Sequence, residues 1–306
     1  MLPSDVPVEV PSPDEPSPSD SGLDPAGGQP SVLAIDLGVR HLAVGVTGPD
    51  GGLGVRDRIV TPTREPLRAL LRLIDRVMAA TPETQRPTVC GVTASGPVVE
   101  AIGEFRPLGI PTWHGVPLRR EIKQLTGLDT VLESIGRAYA TVAAAGGSAV
   151  ALHLGDQVDG GIVVDGRLLD GATGHAGMFG HLAVEHPGAM CVCGAPGCLE
   201  AYASARTIEE QTGRDLARTP AAIVERAGIM VGRACASLAA MLDQREIVLG
   251  GPVVAVLRDA FVDAVRAEFE QRCRLSHLDG VGVRVAQFHV LSAPASIARR
   301  LLATEP

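Results

Sequence analysis

Within eight residues the chain carries three cysteines, Cys191, Cys193 and Cys198, in the spacing C-x-C-x4-C. Gly194, Pro196 and Gly197 lie between or beside them and let the backbone fold back so that the sulfurs converge. Two histidines stand upstream: His181, ten residues before the first cysteine, and His186, nearer in sequence. Three thiolates and one imidazole are the donors of a tetrahedral zinc site. The pattern therefore predicts zinc, held by the three cysteines with His181 or His186 as the fourth ligand. Clustered cysteines in a chain without an export signal read as metal ligands before disulfides. Cys90, Cys235 and Cys273 sit singly in apolar segments and read as core thiols.

Around this cluster the hydrophobic pattern alternates between short apolar runs and helical periodicity. Residues 31–38 form an apolar run stopped by Asp36 and Gly38, a buried strand entering a tight turn. Residues 41–47 continue as a strand, with a hairpin turn at Asp50, Gly51 and Gly52. Leu67, Leu70, Leu71, Ile74, Val77 and Met78 share one helix face, and residues 88–92 return as a strand. The second half repeats the theme, with strands at 149–154 and 160–164 joined by a turn at Asp165 and Gly166. A helix at 221–242, a strand at 247–249 running into Gly250 and Gly251, a helix at 261–269, a strand at 283–291 and a last helix at 296–303 follow. Such alternation predicts an α/β fold, duplicated in two lobes with a cleft between them. The expected division is a leader at 1–30, an N-terminal lobe at 31–125 joined by a C-terminal helix at 294–306, and a C-terminal lobe with the zinc motif at 126–293.

The leader holds eight prolines, six acidic residues and no basic ones, so it is expected to be disordered. It has no basic start and no apolar stretch of a signal peptide, and no 18-residue apolar run follows anywhere, so a cytoplasmic protein without membrane partners is expected. The formal net charge is −8, and removing the leader's six negative charges leaves −2. With no basic patch and only 3% aromatic residues, direct nucleic-acid binding is not expected.

The stretch from Gly174 to Glu200, GHAGMFGHLAVEHPGAMCVCGAPGCLE, resembles the signature of the ROK family of repressors, open reading frames and sugar kinases. The resemblance covers about residues 31–303. Asp36 to Gly38 resembles the family's first phosphate loop, Ser95-Gly96-Pro97 its S/P-G-P turn, and Leu249-Gly250-Gly251 its adenosine-side loop. Gly160-Gly161-Ile162 with Asp165-Gly166 matches its second hairpin. The resemblance implies a two-lobed, actin-like ATPase (ribonuclease H-like) fold, with nucleotide and sugar meeting in the cleft and zinc bracing the sugar-side loops. It implies His181, rather than His186, as the zinc ligand beside Cys191, Cys193 and Cys198. It also implies Gly96, Ser134, His175, Met178, His181 and Glu200 around a sugar. Asp36, Gly38, Arg40, Gly155, Asp156, Gly250 and Gly251 take its nucleotide-loop positions.

Four departures stand at the chemistry. Ile135 occupies the place of the family's catalytic Asp and cannot accept a proton; Ser134 replaces the sugar-binding Asn, and Glu133 is the nearest substitute base. Met178 replaces a Glu, and a thioether is a weak acceptor. Val39 and Arg40 replace the Gly and Thr of the first phosphate loop. Asp156 and Asp159 place carboxylates where triphosphate would lie, and Arg40 is expected to face one of them, or Asp36, across the cleft. The expectation is a sugar-kinase-like protein that has lost phosphoryl transfer and acts as a small-ligand-binding, regulatory or partner protein, taking a sugar or sugar phosphate and forming a homodimer. The alternative is an active ATP- and magnesium-dependent kinase of a hexose or N-acetylhexosamine, with a rearranged site.

Overall fold

The computed structural model describes residues 30–48, 51–99, 101–109 and 111–303. Asp50 of the expected hairpin, almost all of the expected leader and the last three residues of the expected C-terminal helix lie outside them. The apolar run at the start forms β1 (Val32–Leu37), which returns antiparallel as β2 (His41–Thr47) and then β3 (Leu53–Val60). The charged Arg56, Asp57 and Arg58 hide β3 from a search for apolar runs, but they suit a strand at the sheet edge, half-buried on alternate residues. The amphipathic helix α1 (Pro66–Ala80) leads to β4 (Val89–Ala94), which pairs parallel with β1. A small hairpin of β5 (Val98–Val99) and β6 (Glu104–Phe105) and the helix α2 (Leu118–Thr126) precede β7 (Asp129–Ser134), parallel to β4.

Helix α3 (Ile135–Ala144) begins directly after β7 and leads into a second sheet. That sheet consists of β8 (Ala149–Leu154), β9 (Val158–Val164), β10 (Arg167–Leu168), β11 (Glu246–Gly250) and β12 (Gly282–Val285). The short helices α4 (Glu200–Ala203) and α5 (Ala205–Thr212) precede the long pair α6 (Ala221–Leu242) and α7 (Pro252–Arg272), and α8 (Ser292–Ala303) is the last element of the described residues. The sheet orders are β3-β2-β1-β4-β7 and β10-β9-β8-β11-β12. In both, two antiparallel pairings are followed by two parallel ones. Among the described residues no helix is long and apolar enough to cross a membrane.

Several boundaries differ from the sequence expectation. Because β7 belongs to the first sheet, a division by sheet membership follows Ser134, not residue 125. The helical stretch α7 is broken at Arg258 (φ 55, ψ −139); the expected helix at 261–269 lies in its second segment, and a first segment precedes it, opened by Gly251 at φ +97 and by Pro252, which supplies the preset φ of a first helical residue. The strand expected at 283–291 stops at Val285, after which the chain turns to let Tyr139 Oη donate to the Ala286 carbonyl. Helix α8 returns to the first sheet and packs on β1 and β4. A Cβ on Gly91 would lie 2.0 Å from the Pro294 carbonyl oxygen, so glycine is what admits the α8 backbone.

The cores follow the sheets. Leu33, Ile35, Ile74, Val92, Phe105 and Trp113 fill the first; Leu152, Leu199, Val231, Ile247 and Phe261 fill the second. Cys90 and Cys235 are fully buried there, as expected, and Cys273 is half-buried. The turn after β1, the turn after β8, the ends of β4, β7 and β11, and the start of α3 all converge between the sheets. Ligand sites of α/β folds lie at such carboxyl ends of strands.

Candidate functional site

Two cavities open at that convergence. The larger, ≈ 570 Å³, is lined by Asp36, Gly38, Val39 and Arg40 from the first hairpin and Gly155 and Asp156 from the second. Ile135, His153, Gly251 and Phe288 also line it. Gly250 lies behind Gly251, packed so that a Cβ would meet Tyr139 Oη at 2.1 Å. Across its mouth Arg40 Nη2 lies 3.3 Å from Asp156 Oδ1 and 2.5 Å from Glu209 Oε2. The expected contact between Arg40 and Asp156 is present. Glu209, on α5, is a partner that the hairpin motifs gave no reason to single out.

Asp159 does not face Arg40. Two strand positions before Gly161 on β9, it points into the smaller cavity, where its carboxylate accepts from Gly96 N and Gly160 N, each at 3.2 Å. Burial pushes its pKa up to about 6, against those two backbone bonds. Asp36 is pushed up to about 7 by burial; the Thr93 hydroxyl, 3.1 Å away, and the Arg58 charge oppose the rise.

The smaller cavity is only ≈ 10 Å³ and is lined by Glu133, Ser134, Arg137, Asp159, His175 and Met178. Arg137, 4% exposed, fills what remains. Its Nε donates to Glu133 Oε1 (2.9 Å), Nη1 to the Leu169 and Ala176 carbonyls (2.6 and 3.1 Å), and Nη2 to Asp170 Oδ1 (2.6 Å). His175 Nε2 lies 3.0 Å from the Val98 carbonyl oxygen. Ser134 Oγ is buried with no partner among the described residues. Burial raises the Glu133 pKa, against the attraction of Arg137.

Glu200 is not at this cavity. It is 2% exposed, accepts from Val158 N at 2.6 Å and pairs with Arg206 at 3.3 Å, so it anchors β9 from behind. His181 is not at this cavity either. Its Nδ1 lies 3.7 Å from Cys191 Sγ, Cys193 Sγ lies 3.8 Å from Cys198 Sγ, and the four donor atoms all fall within 4.8 Å of one another. Zinc–sulfur bonds of about 2.3 Å in a tetrahedron put sulfurs about 3.8 Å apart. The cluster thus has the donors and the spacing of a closed four-ligand site. The rival His186 is exposed and outside it.

The buried Asp36 and Asp159 set a pH dependence. A carboxyl whose folded-state pKa is raised stabilises the fold below its ordinary pKa near 4, and that contribution is lost as pH rises through the folded value. In magnesium-free buffer the melting temperature should therefore fall between pH 5 and pH 8, and Asp36→Asn should flatten the fall. A melting temperature that rises over this interval would contradict the burial of these two groups.

A family model described as the ROK family matches residues 32–289, and the chain belongs to that family. Its fold is the α/β, actin-like ATPase-type fold of the family. The ROK hexokinase from Thermus thermophilus superposes with a TM-score of 0.73 at 27% identity, over 89% of this chain and 99% of that one. In sequence, the chain is 34% identical to a glucokinase from Thermotoga maritima over 188 residues, 58% of each protein. The match thus spans little more than half of that relative's length. An N-acetylmannosamine kinase from Citrobacter koseri is 30% identical over 246 residues, 73% of this chain and 83% of that protein. The chain is a sugar-kinase-like member of its family.

Proposed function

We propose that this protein binds a small molecule in its larger cleft and does not transfer phosphate to a hexose. The observation that carries this reading is the ≈ 10 Å³ left beside Arg137 where the family resemblance puts a sugar. Such a space takes about one water molecule, not a hexose ring. Ile135 adds the second obstacle. A positioned general base contributes typically about 10²–10⁴-fold, and this side chain has no atom to accept a proton. Met178 lines the same cavity without the acceptor strength of a carboxylate.

The group that the family implies in the larger cleft is ATP with magnesium. The residues present do not suit it: Arg40 is already engaged by Asp156 and Glu209, and Asp36 is pushed toward its neutral form. The His181, Cys191, Cys193 and Cys198 cluster does suit zinc. All four ligands would come from the protein, so the ion would brace the loop before α4 rather than meet substrate.

A second reading, an active ATP-dependent sugar kinase, is favoured by the relatives, which are named as glucokinase and N-acetylmannosamine kinase. Those names support kinase activity over its loss. On this reading Arg137 withdraws when sugar arrives, and Glu133 or Asp159 takes the proton. A coupled assay of ADP release separates the two, with ATP, magnesium and a panel of hexoses, hexosamines and their N-acetyl forms. The first reading expects no sugar-dependent turnover. Turnover with one sugar that Glu133→Gln or Asp159→Asn abolishes establishes the second and discards the first.

A further inference from the structure

We infer that the ≈ 570 Å³ cleft selects ligands by charge, and that it takes an uncharged planar heterocycle, such as a nucleoside without phosphate, held by His153. The inference rests on the reading that phosphate does not enter this site, and it names what does. The volume lies within the 300–1,000 Å³ typical of small-molecule sites. Three features of the lining fix the chemistry.

The first is charge. Arg40 and Arg58 are the two cations lining the cleft, against the carboxylates of Asp156, Glu209 and Asp215 and the partly neutralised Asp36. Burial, with the nearby arginines, lowers the pKa of both His41 and His289, which disfavours positive charge there. The cleft is net negative, and Arg40 is already paired with two acids. A triphosphate entering here breaks those pairs and meets like charge; an uncharged molecule does neither.

The second is His153. Its Nδ1 is buried and has no hydrogen-bond partner among the described residues, and burial pushes its pKa down to about 4. The ring is neutral at pH 7, so it can present one donor and one acceptor according to tautomer. A buried polar atom left unpaired is costly, and a ligand hydrogen bond recovers that cost. The bare Cα of Gly155 leaves this edge of the ring uncrowded: a Cβ there would sit 3.1 Å from His153 Cε1 and 3.3 Å from its Nδ1.

The third is shape. His153 stands beside Tyr139, ring centres 5.7 Å apart, and Tyr139 lies 5.3 Å from Phe288, which is 37% exposed on the cleft wall. These rings give a flat ligand an apolar surface next to a polar atom. An aliphatic sugar would use only the second.

Titration calorimetry of the full chain with adenosine, ATP with magnesium, and glucose tests the inference. Adenosine should bind, and ATP should bind at least ten-fold more weakly. His153→Phe should weaken adenosine at least ten-fold with the melting temperature preserved; if that variant does not fold, His153→Gln serves. Combining Val39→Gly, Arg40→Thr and Asp156→Thr should reverse the order of adenosine and ATP. ATP binding more tightly than adenosine to the unaltered chain overturns the inference together with the closed phosphate site. Heat from glucose alone, or from none of the three, overturns the inference but leaves the absence of phosphoryl transfer standing, because turnover is scored separately.

Discussion

Replacing Cys198 with serine should release the metal and lower the melting temperature by roughly 10 °C. Cys198 is 3% exposed and lies at the point where the loop turns into α4, immediately before the fully buried Leu199. Besides the bridges Ala183 to Cys198 and Met190 to Pro196, the loop from 183 to 198 is crossed by single backbone bonds from Val184 N to Gly197 O, Gly197 N to Ala189 O and Cys191 N to Ala195 O, with no longer strand ladder among its described residues. An ion held by the four donors would add a cross-link that these scattered bonds do not supply. Structural zinc is worth roughly 10–16 kcal/mol in small zinc-binding peptides, of which a large protein realises the part spent on ordering one loop. A share of a few kcal/mol, at ~2–4 °C per kcal/mol for a chain of this size class, gives the expected shift. Metal analysis should find about one zinc per unaltered chain and none in the variant. An unaltered chain free of zinc, or a variant that keeps it, contradicts the assignment.

Replacing Arg137 with methionine should cost about 3–5 kcal/mol, because removing one partner of a buried ion pair leaves the other charge uncompensated. Asp170 contributes little to this cost, since its side chain is 73% exposed and returns to water. Glu133 carries it: its side chain is 18% exposed, and Arg137 opposes the upward pull of burial on its pKa. Without the guanidinium that carboxyl rises further, so the loss of stability should grow as pH rises from 5 to 8. The Leu169 and Ala176 carbonyls lose their donor at the same time. Urea titrations at both pH values measure the effect. A loss below about 1 kcal/mol, or one that shrinks with pH, would show that the Arg137 network is not what closes the smaller cavity.

The parts of this molecule legible in the sequence were those with local signals. Apolar runs ending in Asp-Leu-Gly and Leu-Gly-Gly marked β1 and β11, and the 3.6-residue period marked α1 and α6. The cysteine spacing identified a donor set that the fold does assemble. What was not legible came from long-range geometry. β3 carries three charges because only half of it faces the core, and an edge strand needs no more. Residues 286–291 look like a strand because they are apolar in part, but the pairing ends at Ala286, whose amide still donates to Leu249 on β11 while its carbonyl accepts from Tyr139 Oη, and the amides of Leu291 and Ser292 turn back onto His289.

The site divides the same way. Arg40 and Asp156 could be matched through the hairpins they occupy, whereas Glu209 reaches Arg40 from a helix 169 residues on. Asp159 and Asp156 are near neighbours in sequence. Their positions in the turn and on the strand direct them into different cavities, which spacing alone does not disclose. Arg137 carried no motif at all. A lone arginine two residues inside a helix signals nothing until Glu133, Asp170 and two carbonyls are seen around it.

The most direct measurement of the central claim is a single-turnover experiment with the protein in molar excess over γ-labelled ATP, in the presence of magnesium and saturating glucose or N-acetylmannosamine. Under these conditions even one transfer per site is visible and no product release is needed. The account predicts that the label stays in ATP, apart from the background seen without protein. Label appearing in a sugar phosphate at a rate set by protein concentration would contradict it, and would make this chain a kinase that works through residues other than Ile135 and Met178.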